Sequence, residues 1–430
     1  MLTKLFVSGK NWKLSLAEIA AYLKAREINL KVREFSREFF VIDVPDTGTV
    51  AIDDLGGIIK IGKTQTSFRT QTAKQAFLEK DKAAKQELKT NLSESSIVPE
   101  MKDDSGKVFF GVSVYCSDNT LRPLSAGIQR FFGSAIKDEL STGGRKGKFM
   151  GFSKGKLPQL SHIEVLKKNL VETHAETLLF IGRQESWLGT TEAVHNPFEF
   201  QKRDVYKPNQ RRIFAMPPRL ARIMVNLSAC TPGKVLLDPF CGVGTILQEA
   251  LLAKAKVVGV DANLWCVKAT NENLDWLSQE YNLADADFRV VQGEIAKLAQ
   301  KVGRESVDCI VTEPDLGPAL RQVPTGPYAE RIIQKLEPLF FDFADQAAQV
   351  LREGGKITLV TPYIVTRSGK GVTMPISDKL DSLGLKRTRP FEKELFATQS
   401  EGTESLTALS SLIEVDERHK IGRQIHVYQK

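Results

Sequence analysis

Apolar residues along this chain follow two rhythms, and the change between them falls near residue 217. Before it, short apolar runs stand between charged tracts. Lys4–Ser8, Phe39–Val44 and Gly57–Ile61 read as strands, and Leu16–Arg26 carries apolar residues at helical spacing behind a Ser15 cap. Lys74–Lys89 predicts an exposed helix, and a Ser- and Asp-rich connector follows it to Ser105. Val108–Cys116 restarts a strand, Ile128–Glu139 predicts a helix, and Thr177–Gly182 with Trp187–Val194 predict two closing strands. From Val194 to Ala215 periodicity is weak. From Pro217 onward apolar strands alternate with amphipathic helices, the mark of a doubly wound parallel sheet. The expected organisation is a small α/β domain at 1–70, a charged helix and linker at 71–105, a second domain at 106–195, a basic linker at 196–216 and a large α/β domain at 217–430.

Composition narrows the class. With 430 residues, 42% hydrophobic and 26% charged, the chain is globular and long enough for two or three cores. No apolar run reaches membrane-span length, and the N-terminus lacks the apolar core of a secretory signal. Cysteines 116, 230, 241, 266 and 309 form no CxxC pair, and no histidine stands in ligand spacing. The expectation is a cytoplasmic protein without a metal site. The net charge of +8 is regional: seven Lys/Arg against one acid in 141–170, and seven against one in 200–222. One such run is ordinarily a solvated surface. Two, with Phe149, Phe152, Tyr206 and Phe214 among them, point to a polyanion such as RNA. Arg145, Lys146, Lys148, Lys154, Lys156, Lys202 and Arg203 are the candidate contacts.

The most informative stretch is KVLLDPFCGVGTILQEALLA, 234–253. A short apolar strand ends at Asp238, Phe240 follows, Gly242 and Gly244 make a turn, and Thr245 opens a helix. Glycines there let a backbone approach a ligand at the helix N-terminus. The next apolar strand ends at Asp261, where a ribose is usually held. The third glycine of a dinucleotide fingerprint is Leu247 instead, and an acid stands where a pyrophosphate would want none. That suits a ligand carrying a positive group and a ribose, such as S-adenosylmethionine. The third strand leads to Glu294 and the fourth to VTEPDLGPAL, 311–320. A single acid at a strand end is as readily a helix cap. Four in register on one rim point to a site.

The run RRIFAMPPRLARIMVNLSACTPGKVLLDPFCGVGTILQEALL resembles the entry helix and first motif of THUMP-domain tRNA guanosine-N2 methyltransferases. The matching residues are Pro217, Pro218, Leu220, Ala221, Arg222, Asn226 and Leu227, then Asp238 to Thr245, and the upstream KRDVYKP is similar to the family's linker. The resemblance implies a C-terminal Rossmann-like class I methyltransferase domain. An α+β module, ferredoxin-like and then THUMP-like, would precede it and bind tRNA. It implies that Asp238, Gly242 and Gly244 hold the methionine end of S-adenosylmethionine, Asp261 the ribose and Glu294 the adenine, with Phe240 and Thr245 also lining the cofactor. Glu313, Pro314 and Asp315 would form the catalytic loop. The family has Asp-Pro-Pro-aromatic there, whereas this chain has Glu-Pro-Asp-Leu, one methylene longer and without a ring to stack on the base. Whether a small activating subunit is needed is not legible in the chain. Two other readings stay open: an RNA- and cofactor-binding protein with impaired catalysis, and a DNA amino-methyltransferase.

Overall fold

The computed structural model describes residues 1–430 except 47, 104–105, 152–156, 212–215, 417–418 and the side chain of residue 401. The first half opens with β1 (Leu2–Ser8), α1 (Trp12–Lys24), β2 (Lys31–Phe35), β3 (Phe39–Val44) and β4 (Ile58–Arg69). Helix α1 starts earlier than expected. Asn11 caps it by accepting from the Leu14 amide, and Ser15 lies buried inside, donating to the carbonyls of Asn11 and Gly57. Next come α2 (Thr70–Phe77), α3 (Lys82–Ser93), α4 (Ile97–Glu100), β5 (Val108–Cys116), α5 (Ser125–Thr142), β6 (Gly147–Phe149), α6 (His162–Lys167), β7 (Glu176–Ile181) and β8 (Glu185–Val194).

These eight strands form one sheet, ordered β2-β3-β1-β4-β8-β7-β5-β6. The boundary expected at 71–105 therefore does not divide the sheet. Strand β4 pairs antiparallel with β8 from Lys60 opposite Val194 to Arg69 opposite Glu185. The connector is also packed rather than loose. Ala73, Ala76, Ala84, Leu88, Leu92, Ile97 and Val98 are buried in the core beneath β5 and α5. Alanines at helical spacing carry little hydropathy, so a Lys-rich tract conceals their buried face. At the sheet's centre the Lys60 ammonium donates to Glu176 and, at 2.8 Å, to the Leu160 carbonyl. Ser113 at 2.6 Å and Thr191 at 2.7 Å also donate to Glu176, so this fully buried ion pair is satisfied on every side.

The expected basic linker holds a helix, α7 (Pro197–Val205), capped by Asn196 with proline at its first position. The second half then runs α8 (Pro218–Leu227), β9 (Val235–Asp238), α9 (Thr245–Leu252), β10 (Lys256–Asp261), α10 (Leu264–Glu280), β11 (Phe288–Gln292), α11 (Leu298–Val302) and β12 (Val307–Thr312). It continues with α12 (Gly326–Val350), β13 (Leu351–Val365), β14 (Gly371–Thr373), α13 (Ser377–Ser382), β15 (Lys386–Thr388), α14 (Glu401–Thr407), β16 (Leu412–Glu414) and β17 (Ile421–Gln429). The main sheet is ordered β11-β10-β9-β12-β13-β17-β15. Strands β11 through β13 run parallel, and β17 is antiparallel to both its neighbours. Strand order reverses between β9 and β12, which puts the ligand crevice of such a sheet at Asp238 and Thr312.

Helix α8 joins the halves, which explains its unusual motif. Arg219 Nε donates at 2.6 Å to the Gly56 carbonyl, and Asn226 donates at 2.8 Å to Glu18 and at 2.7 Å to the Asp54 carbonyl. Glu18 also accepts from the amides of Gly56 and Gly57, both at 2.7 Å. On the opposite side Arg222 Nε reaches Glu249 of α9 at 3.0 Å. The apolar residues of α1 and α8 belong to one continuous core with those of α9 and β9. Among the described residues no helix is long and apolar enough to cross a membrane.

Candidate active site

Four strand ends build the rim. Strand β9 delivers Asp238, which is buried and accepts from Thr312 Oγ1 at 2.7 Å and from the Phe240 amide at 3.2 Å. Burial, reinforced by the nearby charges of Asp261 and Glu313, pushes its carboxyl up to about 7, against the pull of those two hydrogen bonds. The following turn needs its glycines: Gly242 has φ +55° and Gly244 φ +82°, and a Cβ on Gly244 would sit 2.8 Å from Thr270. Asp261, ending β10, accepts from the Gly242 amide at 2.9 Å and from the Asn263 amide at 2.8 Å. The second acid thus holds the turn that the first acid precedes. Each of its oxygens keeps a lone pair for another donor.

Thr245 opens α9 and accepts at 3.0 Å from the buried Lys207 ammonium. Phe240 is half-buried against Phe343, with ring centroids 6.1 Å apart. Glu294 follows edge strand β11 and is exposed. Lys207, read in the sequence as part of the basic run and of KRDVYKP, reaches back into the turn. Residues 207–211 form a strap over this region. The Asn209 amide donates to Asn273 at 2.8 Å, Asn273 returns a bond to the Asn209 carbonyl at 3.0 Å, and Arg211 lies 3.8 Å from the Cβ that Gly242 would bear.

The fourth strand end differs from expectation. Glu313 is engaged by Arg423 of β17, whose Nε and Nη2 donate to its two carboxylate oxygens, the latter at 3.1 Å. Pro314 is buried. Asp315 is exposed and accepts from the Gly317 amide at 2.9 Å, so it shapes its own turn. That bond occupies one oxygen of Asp315 and leaves the other open to solvent. Leu316 packs into the core shared by the two halves. No sequence signal joined Arg423 to Glu313, which lie 110 positions apart. Cys241 is buried and its thiol is pushed well above the ordinary value by that burial, and Cys309 is buried in β12, so neither is placed as a nucleophile.

The candidate RNA contacts divide. Lys146 and Lys148 are exposed, and the Lys148 ammonium lies 5.5 Å from the centre of the Phe109 ring, itself exposed. Lys202 is half-exposed and paired with Glu280. Lys154 and Lys156 lie outside the described residues, as do Phe152 and Phe214. Arg203 is a correction. It is buried, with Nε 2.7 Å from Glu249, and fastens α7 to α9, so it faces no RNA. Arg145 needs a smaller correction, because its guanidinium caps the carbonyls of Val98 and Met101. Phe149 is likewise spent on packing against Phe110 and Gly133. Among the described residues no group of three or more His, Cys, Asp or Glu could hold a metal.

A family model described as an RMKL-like methyltransferase domain matches residues 208–364, and a DNA methylase model matches 62–272. A tRNA (guanine(10)-N2)-dimethyltransferase from Methanothermobacter thermautotrophicus is 39% identical over 160 residues, which are 36% of this chain and 42% of that protein. A protein of the same name from Methanocaldococcus jannaschii is 36% identical over 139 residues, 30% of this chain and 38% of its own length. The matches thus span less than half the length of these relatives. The resemblance read from the first motif is borne out by them. A solved structure, TrmN from Thermus thermophilus, shares the fold with a TM-score of 0.52 at 16% identity, covering 100% of this chain and 99% of that one.

Proposed function

We propose that this chain is an S-adenosylmethionine-dependent methyltransferase that modifies the exocyclic N2 of a guanosine in tRNA by direct in-line transfer. The observation that carries the reading is Asp238, a buried carboxylate at the switch of the strand order beside two left-handed glycines. The residues fit the cofactor. Asp238 accepts from a hydroxyl and an amide rather than from a cation, which suits an incoming ammonium, and the Gly242 backbone leaves room where a side chain would intrude. When bound, the cofactor supplies an electrophilic methyl group. Asp238 would neutralise its ammonium, Asp261 would offer its remaining lone pairs to the ribose, and Glu294 and Phe240 would border the rest.

A guanine amine is a weak nucleophile, because its lone pair is delocalised into the ring. The chain's own task is to accept hydrogen bonds from that amine and hold it in line, at a separation of about 3 Å. Glu313 and the Pro314 carbonyl are the acceptors. Glu313, or solvent beside it, would take the proton that the amine gives up on methylation. The N-terminal half would grip the tRNA, as a ferredoxin-like unit at 1–70 and a THUMP-like unit at 106–195 built on one sheet. Exposed Lys146 and Lys148, with half-exposed Lys202 on α7, are the candidate contacts that remain. Localisation in the cytoplasm belongs to the same reading.

The Glu313–Arg423 pair favours one second reading, a binding protein with impaired catalysis. Tritiated cofactor and bulk tRNA separate the two. Label in tRNA from wild type, reduced at least about 100-fold in Glu313→Ala, supports the enzyme; tight tRNA binding without label supports the binding protein.

A further inference from the structure

The loop that departs from the family's pattern has a partner on a distant strand. We propose that Arg423 is a positioning residue for methyl transfer, fixing the Glu313 carboxylate in the orientation from which it accepts the substrate amine. The inference rests on the methyltransferase reading of the same site and adds to it a residue outside the known motifs.

Arg423 lies on β17, opposite Pro362 of β13, and β13 separates it from β12, which carries Glu313. Its guanidinium is held from both sides. Nε and Nη2 meet the two oxygens of Glu313, while Nη1 lies 3.5 Å from Glu414, the residue facing Arg423 in the β16–β17 register. The side chains of Arg423 and Glu313 are only 13% and 12% exposed. A planar fork on a carboxylate sets direction as well as charge, which a lysine cannot do.

Glu313 needs such a clamp for two reasons. It carries one more rotatable bond than the aspartate that the family pattern places there, so its oxygens would otherwise sweep a wider arc. It also shares the rim with Asp238 and Asp261, and Asp238, once ionised, would push a mobile carboxylate outward. The side-on pair occupies one lone pair on each oxygen and leaves the other for an N–H donor. Arg423 thereby turns a longer acid into a fixed acceptor. A purely architectural role, tying β16 and β17 to β12, predicts the same contacts but different kinetics.

A double-mutant cycle on turnover tells them apart. Full-length wild type, Arg423→Gln, Arg423→Lys, Glu313→Ala and Glu313→Ala/Arg423→Gln are assayed for tritiated methyl transfer to tRNA. Affinity for S-adenosylhomocysteine is read by calorimetry. We expect Arg423→Gln to lower kcat about 100-fold, with KM and S-adenosylhomocysteine affinity within about threefold, and Arg423→Lys to recover a minor fraction. The double variant should be no slower than Glu313→Ala, since Arg423 has nothing left to position. Losses that multiply in the double variant overturn the proposal. So does loss of S-adenosylhomocysteine binding in both Arg423 variants, which would assign the residue to the fold. If wild type labels no tRNA, the methyltransferase reading falls and this role with it; label with multiplying losses removes the role alone.

Discussion

Asp238 shows how much one buried carboxyl can decide. Its carboxyl, raised to about 7, is protonated in much of the free protein at neutral pH, whereas an ammonium ligand needs it ionised. Binding must therefore release a proton. Affinity for S-adenosylhomocysteine should weaken up to about tenfold for each pH unit below 7 and level off above it. Calorimetry from about pH 5.5 to about 8.5 would show it. An affinity independent of pH would remove Asp238 from the site. The acid itself was legible in the sequence, because it ends an apolar strand before a Gly-rich turn. Its Thr312 partner was not, since that contact depends on β12 lying beside β9.

At the scale of elements, β9, β10, β11 and β12 were legible because each centres on a short apolar run, whereas β13, which opens on the polar LREGGK, was not read. Strand β2 was missed, since KVREF has only two buried apolar positions amid charge. Strand β4 was cut short at Ile61 because its continuation, GKTQTSFR, is polar and becomes a strand only by pairing with β8. The helix read across Lys74–Lys89 is two, with Lys80 at φ +60° between them. Helix α7 had a legible signature, Asn196-Pro197 with Glu199, but the density of cations obscured it. What fastens α7 and α8 to α9 is Glu249, fully buried between Arg203 and Arg222. Glu249→Ala would leave two buried guanidiniums without their anion and should cost about 3–5 kcal/mol. Urea unfolding measures that loss, and a change under about 1 kcal/mol would mean that the pair is solvated.

Across the whole molecule the two halves meet at Glu18. Burial pushes its carboxyl up to about 7, while bonds from Gly56, Asn226 and Gly57 pull the other way. A carboxyl raised in the folded state is protonated there before it is protonated in the unfolded chain. Its contribution is therefore complete below about 4.5 and is lost as pH rises through about 7. At most about 3 kcal/mol is involved, at 1.36 kcal/mol per unit. Glu18→Gln should lower stability overall, because its amide would face a backbone donor, and should flatten this slope relative to wild type. Chemical denaturation across that pH range checks it, and an unchanged slope would show that Glu18 does not titrate with folding.

The continuous eight-stranded sheet also orders events during synthesis. Strand β4 lies between β1 and β8, and β8 is completed only at Val194. Until β8 has emerged, β4 presents an unpaired edge and the Lys60–Glu176 pair is not yet enclosed by its strand. The first 70 residues therefore cannot reach their final state as an independent early unit. Everything from β1 to β8 must emerge before this sheet can close, and until then its unpaired strand edges are open to wrong pairing.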